Sequence, residues 1–301
     1  MAHAHHHHHH ERSGRNLLIS ILLNIGITLA QVIGGIISGS LALLSDALHN
    51  FSDVLSLIIS YLANRFTKKQ ASSKRTFGYK RAEIMAAFVN SATLIVIALF
   101  LIKEAVERFF QPEPIAPSLV IWLSALGIAA NGLSVLLIRK DADNNMNMKS
   151  AYLHLLTDMM ASVAVLLGGL LMYFYQLYWI DPALTIAIGL YLIYMGYDLL
   201  KSSTKVLMLF TPDSIEVEGM VEEISRHRAI KNVHHVHLWQ LNEHEIHLEA
   251  HIDFHENISI REFDAILKDI EVRVHHEYGI THVSIQPECG RCHSSQVIVQ
   301  D

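Results

Sequence analysis

The sequence predicts an α-helical membrane protein with six transmembrane helices and, after them, a small cytoplasmic α+β domain. Of its 301 residues 51% are apolar and only 17% are charged, which is typical of a membrane protein with a soluble appendage. From about residue 206 the apolar runs shorten and charged residues return, which marks the second domain. Apolar windows long enough to cross a bilayer recur six times, at residues 17–37, 41–66, 82–102, 119–138, 151–175 and 183–203.

The loops between these windows differ in their content of lysine and arginine. Six such residues lie between positions 68 and 81 and three between 139 and 149, whereas none lies at 38–40 or 176–182. Because positive residues mark cytoplasmic loops, both termini are predicted to face the cytoplasm. The compact chain favours the inner (plasma) membrane of a bacterium, and a eukaryotic organelle stays open. No basic patch interleaved with aromatic residues occurs, so nucleic-acid binding is not predicted.

Ionisable side chains occur inside two of the predicted spans. Asp46, His49 and Asp53 follow one another at steps of three and four residues, which places them on one helix face. The fifth span repeats the pair, with His154 four residues before Asp158. The two copies of H-x-x-x-D together offer two imidazoles and two carboxylates. These four ligands suit a tetrahedral divalent metal, and zinc above all.

An intramembrane histidine or aspartate can also serve only to hold helices together through hydrogen bonds. The repetition favours metal binding, because just two of the 21 histidines lie in the spans and both precede an aspartate by four residues. Each carboxylate at mid-membrane costs roughly 2.5–3.5 kcal/mol on insertion scales, which is a high cost for packing alone. Asp46 is predicted to support neighbouring groups or to line a vestibule, and not to be a ligand.

Five stretches of the sequence resemble the cation diffusion facilitator family. The resemblance implies a membrane transporter, not an enzyme, that exchanges a divalent metal for protons across the lipid bilayer and is normally a homodimer. It assigns His49, Asp53, His154 and Asp158 to the transport site, in the pattern of the zinc-transporting branch. Cadmium, cobalt and nickel stay open as further substrates. The stretches are SGSLALLSDALHNFSD (38–53), TFGYKRAE (76–83), AAFVNS (86–91), AYLHLLTD (151–158) and VHHVHLW (233–239).

The region 206–288 reads as helix, strand, strand, helix and strand, which predicts an α+β domain of ferredoxin-like type. The predicted domains are a His-rich start (1–15), the transmembrane domain (16–205), this cytoplasmic domain (206–288) and a tail (289–301). The resemblance implies that the cytoplasmic domain dimerises and that zinc is also its regulatory ligand.

Histidine is dense in the cytoplasmic region, with twelve between residues 227 and 293, and such clusters suggest metal binding. By resemblance His234 and His251 are zinc ligands, Asp264 stands where some relatives supply a third, and His282 and Glu288 lie near the last. Five further histidines are predicted to lie on exposed strand and helix surfaces without binding metal; they are His235, His244, His247, His275 and His276.

Two terminal segments carry further candidate ligands. Cys289 and Cys292 form a Cys-x-x-Cys pair, which is predicted to bind metal in a reducing compartment, with a tail of two free thiols as the alternative. A haem attachment is rejected for the same CGRCH run, because it needs the other side of the membrane. The His-rich start reads equally well as a purification tag or as a native zinc-gathering segment.

A rival interpretation from another functional class is a membrane zinc sensor or scaffold that transports nothing and holds a structural zinc ion. A structural site needs no lined pathway, yet polar or small residues recur at helical spacing along two further spans. They are Ser20, Asn24, Thr28, Gln31 and Gly35 on the first span and Ser124, Gly127, Asn131 and Ser134 on the fourth, and they argue against this interpretation. The loop between the second and third spans, residues 67–80, contains neither Asp nor His, so no metal site is predicted there.

Overall fold

A computed structural model describes residues 8–67, 71–142, 146–290 and 296–298 of the chain. Within these residues the N-terminal two-thirds form long α-helices, in the predicted order. Four segments are long and apolar enough to cross a membrane, and they lie in the third to sixth helices; a shorter apolar segment, Leu22–Ser38, lies in the first. The helices are α1 (His8–Ser38), α2 (Leu41–Thr67), α3 (Ala82–Phe110), α4 (Pro117–Ala142), α5 (Met146–Tyr175) and α6 (Ile180–Leu207).

The chain divides into two compact units, one of residues 1–61 and 89–200 and one of residues 62–88 and 201–301. In the first unit a small apolar core joins α2, α4 and α5 through Leu43, Val120 and Met172. Large apolar side chains such as Phe100 and Trp122 stay exposed on the outside. An exposed apolar surface of this extent is expected where helices face lipid rather than water.

The start of helix α2 is fixed by a side chain from helix α6. Asp181 accepts hydrogen bonds from Ser40 Oγ at 2.5 Å and from the backbone N–H of Leu41 at 2.9 Å. A carboxylate there satisfies free N–H groups and complements the positive end of the helix dipole. Gly39 makes the turn from α1 with φ of +72°, and its carbonyl accepts a hydrogen bond from Arg108 of α3. This turn therefore ties α1, α2, α3 and α6 together.

The second unit contains a three-stranded sheet among its described residues. Strand β2 lies in the centre, antiparallel to β1 and parallel to β3. A parallel neighbour needs a crossover connection, and helix α8 supplies it. The predicted order of helix, strand, strand, helix and strand is the one observed. The elements are α7 (Val217–Ser225), β1 (Ile230–Asn242), β2 (Glu245–Phe254), α8 (Ile260–Tyr278) and β3 (His282–Glu288).

One face of this sheet packs against α7 and α8. The fully buried side chains at the interface include Met220 of α7, Leu248 and Ile252 of β2, and Ile270 of α8. The hydrophobic residues of β2 recur at every second position, as the period of a strand requires. Burial of this face fixes which side of β2 carries its histidines.

Local sequence signals set both ends of α8. Ser259 accepts a hydrogen bond from the N–H of Glu262, and the Glu262 carboxylate accepts one from the N–H of Ser259. The backbone hydrogen bond from Ser259 lowers the pKa of Glu262. Gly279 ends the helix in the left-handed conformation, with φ of +69°.

The segment before α3 contacts the sheet within the same unit. Lys80 Nζ lies 2.5 Å from a carboxylate oxygen of Glu245. Burial alone would raise the pKa of Glu245, but the hydrogen bonds from Lys80 and Asn242 outweigh it and the pKa is lowered. The positive charge that the sequence places in this loop therefore has an acidic partner on β2.

Candidate functional site

Helices α2 and α5 bring the two H-x-x-x-D pairs together. His49 Nε2 lies 3.2 Å from Asp158 Oδ1 and 3.7 Å from Asp53 Oδ2. His154 Nε2 lies 3.3 Å from Asp53 Oδ2 and 3.6 Å from Asp158 Oδ2. Each imidazole therefore stands between a carboxylate of its own helix and one of the other helix.

These separations match the spacing of ligands around a single zinc ion. Two ligand atoms about 2.0–2.1 Å from a tetrahedral zinc ion lie roughly 3.3 Å apart. The ligand atoms of His49, Asp53 and Asp158 all lie within 4.8 Å of one another. His154 approaches both carboxylates but is not one of this group of three.

The burial of the four side chains is uneven. Asp158 is 1% exposed and His49 is 8% exposed, whereas the side chain of His154 is 44% exposed. Neither Asp53 nor Asp158 forms an ion pair with a lysine or arginine in the described part of the chain. His49 Nδ1 and Asp158 Oδ2 are buried without a hydrogen-bond partner there. Buried carboxylates that lack a cationic partner are costly, and a bound cation removes that cost.

Asp46 lies near this set but makes different contacts. Its Oδ2 accepts hydrogen bonds from Gln31 Nε2 of α1 at 3.0 Å and from Ser162 Oγ of α5 at 2.9 Å. Gln31 in turn accepts a hydrogen bond from Asn50 at 3.3 Å. Neither Asn50 nor Ser162 was among the residues predicted from the sequence. The signal was present, because Ser162 follows Asp158 by four residues on the same helix face.

A second cluster of metal-binding residues lies on the sheet. His234 of β1 and His251 of β2 are directly opposite in the strand register, with ring centroids 5.6 Å apart. Glu288, the last residue of β3, joins them: its carboxylate lies 3.3 Å from His234 Nε2 and 3.2 Å from His251 Nδ1. One ligand atom from each of the three residues lies within 4.8 Å of the ligand atoms of the other two. The cluster offers two nitrogens and one oxygen.

The other sequence-predicted ligands lie elsewhere. Asp264 is exposed on α8. His282 begins β3, whereas Glu288 ends it, and at about 3.3 Å per residue the two are roughly 20 Å apart. His282 instead pairs in register with His247, with ring centroids 4.7 Å apart. Cys289 is exposed and unbonded, and Cys292 lies outside the described residues, as do residues 1–7 of the His-rich start.

Two histidines expected on the surface make specific contacts. His247 is 7% exposed and packs against Phe77, Trp239 and His282. Burial, and then the charge of His282, lowers the pKa of His247. His235 lies in a β-bulge of β1, has φ of 51°, and stacks on the ring of His251 at 4.5 Å. The expectation was wrong for His247 because the segment before α3 covers that end of the sheet.

Two family models match the chain. The cation efflux transmembrane domain matches residues 17–208, and the cytoplasmic domain of cation efflux proteins matches residues 212–289.

Individual relatives align along nearly the whole chain. The cadmium, cobalt and zinc/H(+)-K(+) antiporter of Bacillus subtilis (strain 168) is 37% identical over 96% of this chain and 92% of its own. Zinc transporter ZitB of Escherichia coli (strain K12) is 33% identical over 97% and 94%. The metal cation efflux system protein CzcD of Cupriavidus metallidurans is 31% identical over 97% and 92%.

Proposed function

This chain belongs to the cation efflux family, and from that premise we propose that it is a proton-coupled exporter of divalent metal ions, chiefly zinc. The observation that supports the transport site most directly is the set of four separations of 3.2–3.7 Å between two imidazoles and two carboxylates. Cadmium and cobalt are further substrates, since the name of the Bacillus relative includes both. Nickel has the same ligand preference.

The four side chains explain why protons and metal exclude each other. Zinc binds the neutral imidazoles of His49 and His154 and the ionised carboxylates of Asp53 and Asp158. Protons that bind these groups neutralise the carboxylates, charge the imidazoles and release the metal. A proton gradient across the membrane therefore drives the metal outward. The name of the Bacillus relative also includes potassium, and we propose potassium as a second counter-ion.

We place all six long helices across the inner (plasma) membrane, with both termini in the cytoplasm. Loops with three or more lysines and arginines alternate with loops that have two or none, which supports this orientation, as does the match of residues 212–289 to a cytoplasmic domain. Residues 16–205 form the transport domain and residues 206–288 a domain of ferredoxin-like type. Through the second domain the chain forms a homodimer.

His234, His251 and Glu288 form a regulatory zinc site in the cytoplasmic domain. The cross-strand pair and the carboxylate at the end of β3 provide three ligands within a short distance. Cys289 directly follows Glu288, and with Cys292 it is a candidate pair of metal ligands in the tail.

The alternative of a zinc sensor or scaffold gains no support from the helical unit. A static zinc site needs no buried polar groups beyond its ligands, whereas this unit also buries Gln31, Asp46 and Ser162.

The proposed function is tested in proteoliposomes that contain a zinc-sensitive dye and carry an imposed pH gradient. The wild type is compared with Asp158→Asn, which keeps the shape of a buried ligand and removes its charge. Asp198→Asn is the matched control, since Asp198 is an exposed carboxylate of α6. Gradient-dependent zinc flux that is lost only in Asp158→Asn supports the exporter. Stoichiometric zinc binding without any flux in the wild type contradicts it and favours the scaffold.

A further inference from the structure

Asp46 is a buried carboxylate that the metal-binding set does not use. It is 0% exposed, and its Oδ2 already accepts two hydrogen bonds, from Gln31 and Ser162. Its Oδ1 has no hydrogen-bond partner in the described part of the chain. An ionised carboxylate can accept about four hydrogen bonds, so half of this group is unsatisfied.

No basic side chain compensates the charge of Asp46 among the described residues. The titratable groups whose charges act on it are His49, one turn along α2, and Asp158 of α5. Asp158 is acidic and so cannot compensate the charge of Asp46. The His49 imidazole already lies between Asp53 and Asp158 of the proposed transport site. An unpaired carboxylate in a low-dielectric interior costs several kcal/mol in general, and a bound cation offsets that cost.

The groups that hydrogen-bond Asp46 are neutral, and unsatisfied buried oxygens occur at nearby positions of α2 and α4. Gly127 of α4 lets that helix pass close to the Asp46 partners, since a Cβ there would lie 2.8 Å from Gln31 Nε2 and 3.3 Å from Ser162 Oγ. Further buried oxygens of α2 and α4 lack a hydrogen-bond partner within the described ranges. They are Ser45 Oγ, Asn50 Oδ1, Ser124 Oγ and Asn131 Oδ1.

The chemistry of these groups selects the class of ligand. One carboxylate with neutral oxygens and no imidazole matches a single positive charge, and oxygen ligands suit hard cations rather than zinc. We infer that Asp46 is a further binding group for the monovalent cation that is exchanged for the metal, beside the transport-site groups at which protons compete with zinc. Both a proton and a potassium ion would neutralise one carboxylate there. The inference rests on the proposed function and adds a separate place for the counter-ion.

The position of Asp46 suits that role. It lies three residues before His49 on the same face of α2, about 4.5 Å along the helix axis. A cation at Asp46 is close enough to repel a metal ion at the transport site, yet it shares no ligand with that ion. The positive charge of the incoming cation therefore favours release of the metal ion, although the cation does not itself bind to the ligands of that ion.

The test compares Asp46→Asn with the wild type in proteoliposomes under three conditions. One uses a pH gradient without potassium, one a potassium gradient at equal pH, and one radioactive zinc exchange with unlabelled zinc and no cation gradient. We expect Asp46→Asn to lose at least about tenfold in one cation-driven flux, because it loses a charged interaction. Exchange of zinc for zinc and equilibrium zinc binding should persist. The gradient whose flux is lost identifies the counter-ion.

Two results overturn the inference. One is cation-driven flux in Asp46→Asn equal to that of the wild type. The other is joint loss of flux, zinc exchange and zinc binding in a variant that still elutes as folded protein, which would place Asp46 in the metal site itself. If Asp46→Asn does not fold, Ser162→Ala decides. It keeps the carboxylate and removes one donor, so the cation concentration for half-maximal flux must shift, and no shift overturns the inference.

Asp198→Asn is again the control that must behave as the wild type. A wild type without any cation-driven zinc flux contradicts the proposed function itself. Wild-type flux that Asp46→Asn retains under both gradients contradicts only the role of Asp46.

Discussion

His49 Nε2 and Asp158 Oδ1 lie 3.2 Å apart, although 109 residues separate them along the chain. The contact joins α2 to α5, and His154 makes the reciprocal contact with Asp53. Because each helix supplies one imidazole and one carboxylate, any displacement of α2 relative to α5 lengthens ligand separations on both sides at once. If the four groups bind metal as proposed, their affinity for it depends on how α2 lies against α5, which is what alternating access requires.

His49→Asp is expected to weaken zinc binding and to shift the preference toward harder metals such as manganese. An imidazole favours zinc, whereas a third carboxylate favours oxygen-liking cations. Loss of a group that only hydrogen-bonds a metal ligand lowers metal affinity about 10–100-fold. Replacement of a ligand itself should therefore lower zinc affinity at least about 100-fold. Competition binding of zinc and manganese to the purified protein measures the shift.

The control for this change is Tyr191→Phe. The Tyr191 ring lies edge-on to His49 at 6.3 Å, and phenylalanine preserves that contact. A shift in metal preference caused by Tyr191→Phe, or none caused by His49→Asp, would argue that the imidazole does not set the selectivity.

Gly127→Ala is expected to keep the fold and to lower transport several-fold. The new methyl group would lie 2.8 Å from Gln31 Nε2, so the Gln31 amide must move away from Asp46. Gly26→Ala is the matched control, because nothing lies within 4 Å of a Cβ at that position. An alanine there should be neutral or stabilising, by up to about 1 kcal/mol of helix propensity. Equal transport by the two variants would show that the close approach of α4 does not matter.

Much of the geometry of the proposed transport site could be predicted from local sequence. A spacing of four residues places His49 with Asp53 and His154 with Asp158 on single faces whatever the tertiary fold. The crossed pairing of the two helices could not be predicted from spacing, because it depends on how α2 packs beside α5. The same limit applies to Asp46, whose partners Gln31 and Ser162 come from two other helices.

In the cytoplasmic domain the limit was strand register. Strand periodicity correctly placed the apolar residues of β2 toward the helices, but it cannot tell which residues of neighbouring strands are opposite. The parallel pairing of β3 puts Glu288 beside His251 and His234, and puts His282 beside His247. The predicted set of five ligands therefore separates into a cluster of three, His282 beside His247, and an exposed Asp264.

Glu288→Gln is expected to remove one bound zinc ion per chain while leaving metal transport in place. An amide is a weaker ligand than a carboxylate, and two imidazoles alone hold zinc poorly. Equilibrium dialysis of the full chain at neutral pH counts the bound metal. Glu249→Gln is the control, since Glu249 is exposed on the neighbouring strand β2. Unchanged stoichiometry in Glu288→Gln would remove the sheet cluster from the list of zinc sites.

Asp181→Asn is expected to lower the free energy of unfolding by about 1–2 kcal/mol, as loss of a helix cap with its charge does. Ser40 Oγ and the Leu41 N–H donate to different oxygens of Asp181, and the amide replaces one of these oxygens by an NH2 group, so one hydrogen bond is lost and the turn between α1 and α2 loosens. Thermal unfolding in detergent measures the change. Glu107→Gln breaks the exposed ion pair with Lys103 and should have almost no effect. A similar decrease in the unfolding temperature of both variants would show that the Asp181 cap of α2 stabilises the protein no more than an exposed ion pair does.

His247 is expected to make the protein less stable as the pH falls below about 6.5, the ordinary pKa of histidine. Burial, and then the charge of His282, lowers its pKa, so the folded state binds fewer protons than the unfolded state. By linkage, stability then declines from the unfolded pKa downward, and the full penalty is reached below the folded pKa. Trp239 stacks on His247 at 5.5 Å, so tryptophan fluorescence reports this region.

The measurement is the apparent unfolding temperature in zinc-free buffer at pH 7.5 and at pH 5.5. His247→Gln cannot be protonated, and its unfolding temperature should fall less on acidification than that of the wild type. His276→Gln removes an exposed histidine of α8 and should behave as the wild type. If His247→Gln and His276→Gln respond alike, the acid sensitivity arises from other histidines. If only His247→Gln is protected, the contact of the segment before α3 with the sheet depends on a neutral imidazole.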